Sequence, residues 1–490
     1  MVDAGRVVVC GSSPKGRQRG ESRSPGPAGG FPGGPLARPA RLAAVPTEND
    51  GALPPDLFAA TVALLEELTA ISSASGDAAG LGRMAARLGA VLAARGLEVE
   101  VLPGLGPDGG DGRGSAAGPG VSALPVLVAR GPAVVGGRGS RAGRGHLLLI
   151  GHLDTVLPAA PPRRDGDRLV ATGAIDMKGG LATLAGALDL LVRRGAAPPA
   201  DLVLVAVPDE EVGGELAHAA VEHWGAGARA LWVLEPGEPG SAPGAETLVG
   251  GRRGLFDWRL EARGRAAHSG LHLAEGRSAL LAAARWCLEA TLAPDTPDAP
   301  DAPGATVAPG EPAVRRPAVN VGRLVAGDAS FVGDLAATHA WLGTERQLNV
   351  VPDRAIVEGE ARFSTAASGE EIARRLAVLA TTVGAATGTA LAFEHGRMIP
   401  PVDPRGPQQA WCAGAVALAA ARGWRLEVEK ERGGISFPNF LPDPGRLPVL
   451  DGLGPIGGGM HTRDEYVDLV SFSRRIVLLA DLLQADAADR

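Results

Sequence analysis

Cysteine is nearly missing: the 490 residues include three, Cys10, Cys287 and Cys412. Thiols so few and so scattered exclude a disulfide framework and a Cys-type zinc site, and a reducing compartment is expected. Aromatic residues make up 3% of the chain and Tyr466 is its sole tyrosine, while Ala, Gly and Pro abound. That imbalance reads as a bias of the encoding genome, not as a functional signal. No charge of one sign dominates: 48 Lys and Arg against 55 Asp and Glu leave a net −7, with both signs mixed along the chain. Nucleic acid is therefore not an expected partner. No stretch reaches the ~18 apolar residues of a membrane span, and Val7-Val8-Val9-Cys10 is too short for the apolar core of a signal peptide. The expectation is a cytoplasmic protein without a membrane partner. The Gly-rich run 173–180 lacks both GxGxxG and GxxxxGK, which argues against nucleotide binding, and no internal repeat points to a solenoid.

What is present suffices for a large core, since 45% of the residues are apolar. The first 54 residues, rich in Gly, Pro, Ser and Arg without apolar periodicity, are expected to be a disordered extension. Low-complexity stretches at 103–120 and 293–317 read as surface insertions. Elsewhere apolar runs alternate with helical patterns, the mark of an α/β fold.

Several of those runs end in polar residues. The strand-like His146-Leu147-Leu148-Leu149-Ile150-Gly151 leads into His152-Leu153-Asp154-Thr155. The run 201–207 leads into Asp209-Glu210-Glu211, and 230–234 into Glu235-Pro236. Asp176 lies in a Gly-rich loop that opens an apolar helix extending to about residue 194, and His461 follows a glycine run late in the chain. In an open α/β sheet such strand ends gather at one edge. Imidazole and carboxylate are the ligands that suit zinc, and a metal pair about 3.5–4 Å apart is served by a bridging carboxylate. Carboxylates left over from ligation can orient a histidine or take the proton of an attacking water. An isolated histidine such as His146, His218 or His395 carries no such context.

Taken together, Gly151-His152-Leu153-Asp154-Thr155-Val156, Gly173-Ala174-Ile175-Asp176-Met177-Lys178-Gly179-Gly180, Asp209-Glu210-Glu211-Val212-Gly213, Glu235-Pro236 and Gly459-Met460-His461-Thr462-Arg463-Asp464-Glu465-Tyr466 resemble the zinc-dependent aminoacylase and carboxypeptidase family. That family includes glutamate carboxypeptidase, acetylornithine deacetylase and succinyl-diaminopimelate desuccinylase. The likeness covers about 55–485. It implies two zinc ions per subunit, with cobalt or manganese as alternatives: His152 and Glu235 on one, Glu211 and His461 on the other, Asp176 bridging. It further implies Glu210 as general base, Asp154 as acceptor of the free N–H of His152, and a cis peptide at Asp176-Met177.

Between about 250 and 388 the pattern changes to an alternating strand at 255–262, an apolar helix at about 278–292, the segment 348–353, an alternating strand at 355–363 and a helix at about 369–383, read as the β-α-β-β-α-β order of a ferredoxin-like domain inserted into the larger one. The resemblance makes this the lid and dimerisation domain of a homodimer. It makes His268 the group that stabilises the oxyanion, and Asn349 and Arg362 the residues that bind the substrate. The expected organisation is thus an α/β zinc-peptidase catalytic domain in two segments, 55–249 and 389–490, with the α+β lid at 250–388.

One loop departs from the family. Where relatives carry Gly-Gly-x-Ser/Thr-Asp-Gly/Ala-Asn, this chain reads Gly433-Gly434-Ile435-Ser436-Phe437-Pro438-Asn439. Phe437 replaces the aspartate and Pro438 removes a backbone donor, a change expected to bear on substrate choice. The run Leu450-Asp451-Gly452-Leu453-Gly454-Pro455 is most similar to the glutamate carboxypeptidase branch. The resemblance therefore implies a dinuclear zinc hydrolase that cleaves an amide bond and releases a C-terminal amino acid from a small peptide or N-acyl amino acid. A deacylase or desuccinylase of N-acyl amino acids is the near alternative; a non-catalytic, metal-stabilised binding protein is the alternative of another class.

Overall fold

The computed structural model describes residues 7–8, 53–104, 124–132, 145–292, 318–329, 332–333 and 349–488. The expected extension and the two low-complexity stretches lie outside these residues, apart from 7–8, 53–54 and 103–104. In chain order the elements begin with β1 (Val7–Val8), α1 (Pro55–Ala70), α2 (Ala78–Ala93), β2 (Glu98–Pro103), β3 (Pro125–Arg130) and β4 (His146–His152). Next come β5 (Arg163–Asp165), β6 (Arg168–Val170), α3 (Lys178–Arg193), β7 (Leu202–Val207), α4 (Glu215–Gly225), β8 (Ala228–Val233) and β9 (Glu246–Val249). They continue with β10 (Gly254–Arg263), α5 (Ala279–Leu292), β11 (Ala318–Gly327), β12 (Arg354–Phe363), α6 (Ala366–Thr387) and β13 (Ala390–His395). The last are α7 (Gln408–Ala421), β14 (Leu426–Glu429), β15 (Val449–Leu450), β16 (Gly457–Gly458), β17 (Tyr466–Asp468) and α8 (Leu469–Ala488). The chain divides into two compact units, one containing Leu255–Ile399 and the other Ala40–Gly254 with Pro400–Arg490.

The larger unit is built on a six-stranded sheet in the order β15-β8-β4-β7-β3-β2. β4 runs parallel to both β7 and β8, whereas β3 and β2 are antiparallel. Strands buried on both faces need continuous apolar runs, and every residue of β7 is buried, as is all of β4 after His146. β4, β7 and β8 therefore end side by side, with His152 paired to Val207, and release their polar sequels at one edge. Helix α3 packs against both α1 and α8, and the apolar sides of the three join the core around Leu65, Leu184, Phe472 and Leu479. α3 comes very close to the strand that delivers Glu235: a Cβ on Gly180 would lie 1.9 Å from the Leu234 carbonyl oxygen. No side chain fits there.

The smaller unit has the sheet order β1-β13-β10-β12-β11. From β10 onward the elements run β-α-β-β-α-β, the ferredoxin-like sequence of elements. β10 alternates with Phe256, Trp258, Leu260 and Ala262 buried, and these residues meet Trp286 of α5 and Leu376 of α6 in a separate core. Two strands correct the reading from sequence. The second strand is β11, which had not been recognised, and the last is β13, which lies beyond 388 and pairs antiparallel with β10. The compact unit therefore runs 255–399 where 250–388 was expected.

The departing loop 433–440 ends in a short 3-10 turn, Phe437–Phe440, in the larger unit. Phe437 is fully buried in the main core. Asn439 Nδ2 donates to the carbonyls of Arg253 (3.0 Å) and Pro400 (2.9 Å).

Candidate metal centre

Seven side chains gather at the sheet edge. His152 leaves β4 fully buried. Its Nδ1 lies 2.9 Å from the backbone carbonyl oxygen of Asp154 and 3.4 Å from that residue's carboxylate. Its Nε2 lies 3.0 Å from Asp176 Oδ1 and 3.8 Å from Glu235 Oε1. The other oxygen of Asp176 is 3.3 Å from Nε2 of His461, which is also 3.2 Å from Glu211 Oε2. Ligand atoms of His152, Asp176 and Glu211 lie within 4.8 Å of one another, and so do those of His152, Glu210 and Glu235. A small pocket reaches this cluster past Thr155, Val156, Leu157 and Thr172.

Local structure explains how each group arrives. Asp176 precedes α3, and the Asp176-Met177 peptide is cis. Glu210 and Glu211 sit on a tight turn, 209–214, closed by a hydrogen bond from Gly214 N–H to the Asp209 carbonyl. The Asp209 carboxylate accepts the N–H groups of Leu216 (2.7 Å) and Ala217 (3.1 Å), and so caps α4, whose N-cap Gly214 has no side chain to do so. His461 adopts φ +63°, a left-handed conformation that costs a non-glycine residue about 1–2 kcal/mol.

The electrostatics are those of too much negative charge in too little water. Burial, with neighbouring carboxylates adding to it, pushes Glu210 and Glu211 each up to about 7 and Glu235 up to about 8. Burial also opposes the charge of Asp176, but hydrogen bonds from His152 and His461 outweigh it and hold this carboxyl far below the ordinary range. His461 rises to about 9, chiefly through its bond to Asp176. Burial disfavours a charged His152, yet Asp154 and Asp176 carry it well above its usual value.

These residues fit divalent cations. With Nδ1–H donated to a carbonyl oxygen, a neutral His152 turns a lone pair on Nε2 toward a carboxylate oxygen 3.0 Å away. Only a proton or a cation between them reconciles two acceptors. Two imidazoles with several carboxylates are donors suited to zinc and its first-row neighbours.

The expected set is only partly one cluster. His152, Asp154, Asp176, Glu210, Glu211, Glu235 and His461 all belong to the larger unit, and the contacts above gather them. Asp154 differs in detail: the shortest contact to His152 Nδ1 is its carbonyl, while its carboxylate accepts the N–H groups of Glu210 and Glu211 at 3.2 Å each and the Ser75 hydroxyl at 2.8 Å. His268, Asn349 and Arg362 belong to the smaller unit. There His268 is exposed and pairs with Val350, and Ser269 N–H donates to the Asn349 carbonyl at 2.8 Å. Arg362 binds Glu360 at 2.9 and 3.1 Å.

Ser75, Asp209, Ser436 (3.4 Å from Glu235 Oε1) and Glu465 were not singled out as site residues from sequence. Asp209, Ser436 and Glu465 did stand inside motifs already quoted, which was the available signal.

A "Probable carboxypeptidase" of Aspergillus terreus is 36% identical over 203 residues, 40% of this chain. That stretch spans only 43% of the relative's own length. Carboxypeptidase G2 of Pseudomonas sp. (strain RS-16) is 26% identical over 442 residues, 86% of this chain and 88% of that protein. The crystal structure of aminopeptidase PepT from Bacillus cereus ATCC 10987 matches with a TM-score of 0.64 at 20% identity, covering 88% of this chain and 99% of that one, and so shows the same fold. The model of Peptidase family M20/M25/M40 matches residues 148–485, from the strand that delivers His152 to the final helix, and the chain belongs to that family.

Proposed function

We propose that the protein is a dinuclear zinc amidohydrolase of the carboxypeptidase type, releasing a C-terminal amino acid from a small peptide or N-acyl amino acid. The observation that carries this reading is the Asp176 carboxylate, whose two oxygens face two imidazoles at 3.0 and 3.3 Å. Glu235 stands beside one of these and Glu211 beside the other. That geometry supports His152 and Glu235 on one ion, Glu211 and His461 on the second, and Asp176 between them. When bound, the ions would polarise the scissile carbonyl and acidify a water. The names of both curated relatives support the carboxypeptidase assignment over deacylation.

Glu210 is the general base in this reading. Its carboxyl lies within reach of His152 and Glu235, where it can accept a proton from water and pass it to the leaving amine. Asp154 fixes this base through the peptide N–H groups of Glu210 and Glu211. His268 is assigned to the oxyanion, with Asn349 beside it; Arg362 is assigned to the substrate carboxylate and would have to exchange its Glu360 partner for it. A homodimer formed through the smaller unit is supported by α5, which leaves Leu281 and Leu288 exposed, and by β11, which ends its sheet among the described residues. Phe437 does not favour a non-catalytic binding protein: it is buried in the core, so its replacement of aspartate serves packing.

The test is release of free amino acid by zinc-loaded protein from a panel of N-acyl amino acids and folate-like glutamate conjugates, with Glu210→Gln alongside. The variant is expected to keep its metals and lose about 10²–10⁴-fold in turnover. Wild-type turnover by the variant would remove Glu210 from its role.

A further inference from the structure

Glu465 is 3% exposed and lies in the loop between β16 and β17, four positions after His461. Its Oε2 accepts the N–H of Gly173 at 2.8 Å, and its Oε1 accepts those of Ile175 and Asp176, both at 3.0 Å. The main chain adds a fourth tie, from Ala171 N–H to the Glu465 carbonyl at 3.0 Å. Three peptide N–H groups converging on one carboxylate set the path of the loop that carries Asp176, because each bond constrains a different peptide plane. The same short segment, 461–465, thus holds Asp176 twice: His461 meets its carboxylate at 3.3 Å and Glu465 meets its peptide N–H at 3.0 Å.

We propose that Glu465 is a positioning residue for the metal centre, holding Asp176 in the orientation in which its two oxygens face His152 and His461. This rests on the reading of Asp176 and His461 as ligands. A merely structural glutamate would lower stability when altered and leave the ligand field of a bound ion unchanged. A positioning glutamate would change both affinity and ligand field.

The full-length protein, stripped by a chelator, is titrated with cobalt(II) and followed by calorimetry and by the visible absorption of the bound ion. Three proteins are compared: wild type, Glu465→Gln, and Leu92→Ala, a buried α2 residue whose truncation destabilises the larger unit away from the site. Gln keeps the size of Glu but offers one acceptor oxygen in place of two. Expected are two ions per wild-type chain, binding weakened about 10–100-fold in Glu465→Gln with an altered absorption band, and a wild-type band in Leu92→Ala. The inference is overturned if Glu465→Gln keeps wild-type affinity and band, or if Leu92→Ala shifts the band equally. If wild type takes up no cobalt, the metal reading itself fails and this inference with it. Glu465→Asp, which retains both oxygens on a stem too short to reach all three N–H groups, carries the same expectations should the Gln variant not fold.

Discussion

At the scale of single residues, Asp154 joins tasks that its spacing from His152 did not reveal. Its backbone carbonyl holds the imidazole, while its carboxylate holds Ser75 and the peptide N–H groups of Glu210 and Glu211. Asp154→Asn would turn one of those acceptor oxygens into a donor facing donors. The expected outcome is metal binding weakened by about 10–100-fold with the fold intact, checked by calorimetric titration beside circular dichroism. His152, Asp176, Glu211 and Glu235 were legible in the sequence because their chemistry is rare at the end of an apolar strand or in a Gly-rich loop. Ser75 and Glu465 were not, because their partners are largely peptide N–H groups or an acid already claimed, and a backbone donor has no residue type to mark it.

Among elements, the parallel trio β8, β4 and β7 could be read from unbroken apolar runs, and the structure shows why those runs matter: they end at one edge. β11 and β13 escaped notice for the converse reason. The former has no fully buried position and the latter only Phe393, so neither shows clear alternation between a core face and a wet face. The turn between β7 and α4 depends on Asp209, whose carboxylate caps the helix directly behind Glu210 and Glu211. Asp209→Ala would leave two buried N–H groups without that acceptor, a loss of about 1–2 kcal/mol. A lower urea midpoint together with weaker metal binding is expected; an unchanged midpoint would show that the turn holds itself.

For the whole molecule, the acidic cluster links stability to pH. In the metal-free protein Glu210, Glu211 and Glu235 sit at about 7, 7 and 8, above the ordinary 4.5, and His461 sits at about 9, above 6.5. The folded state then holds more protons than the unfolded chain between roughly pH 5 and 8, so its stability falls as pH rises across that window. Cations replace those protons. The rise in melting temperature on adding zinc is expected to be larger at pH 8 than at pH 5.5, read by scanning fluorimetry with and without chelator; an equal rise at both would separate the cluster from the metal. One further feature acts at this scale. The chain leaves the larger unit and returns to it through two paired segments, Arg252 with Val402 on one side of the boundary and Leu255 with Ile399 on the other. Asn439 ties Arg253 to Pro400 between them. The whole insert is therefore a bubble on a hairpin stem, and its length can change with little loss of chain entropy to the unit that carries the acidic cluster. Such a stem lets evolution exchange or resize the insert while the chemistry of the other unit is inherited unaltered.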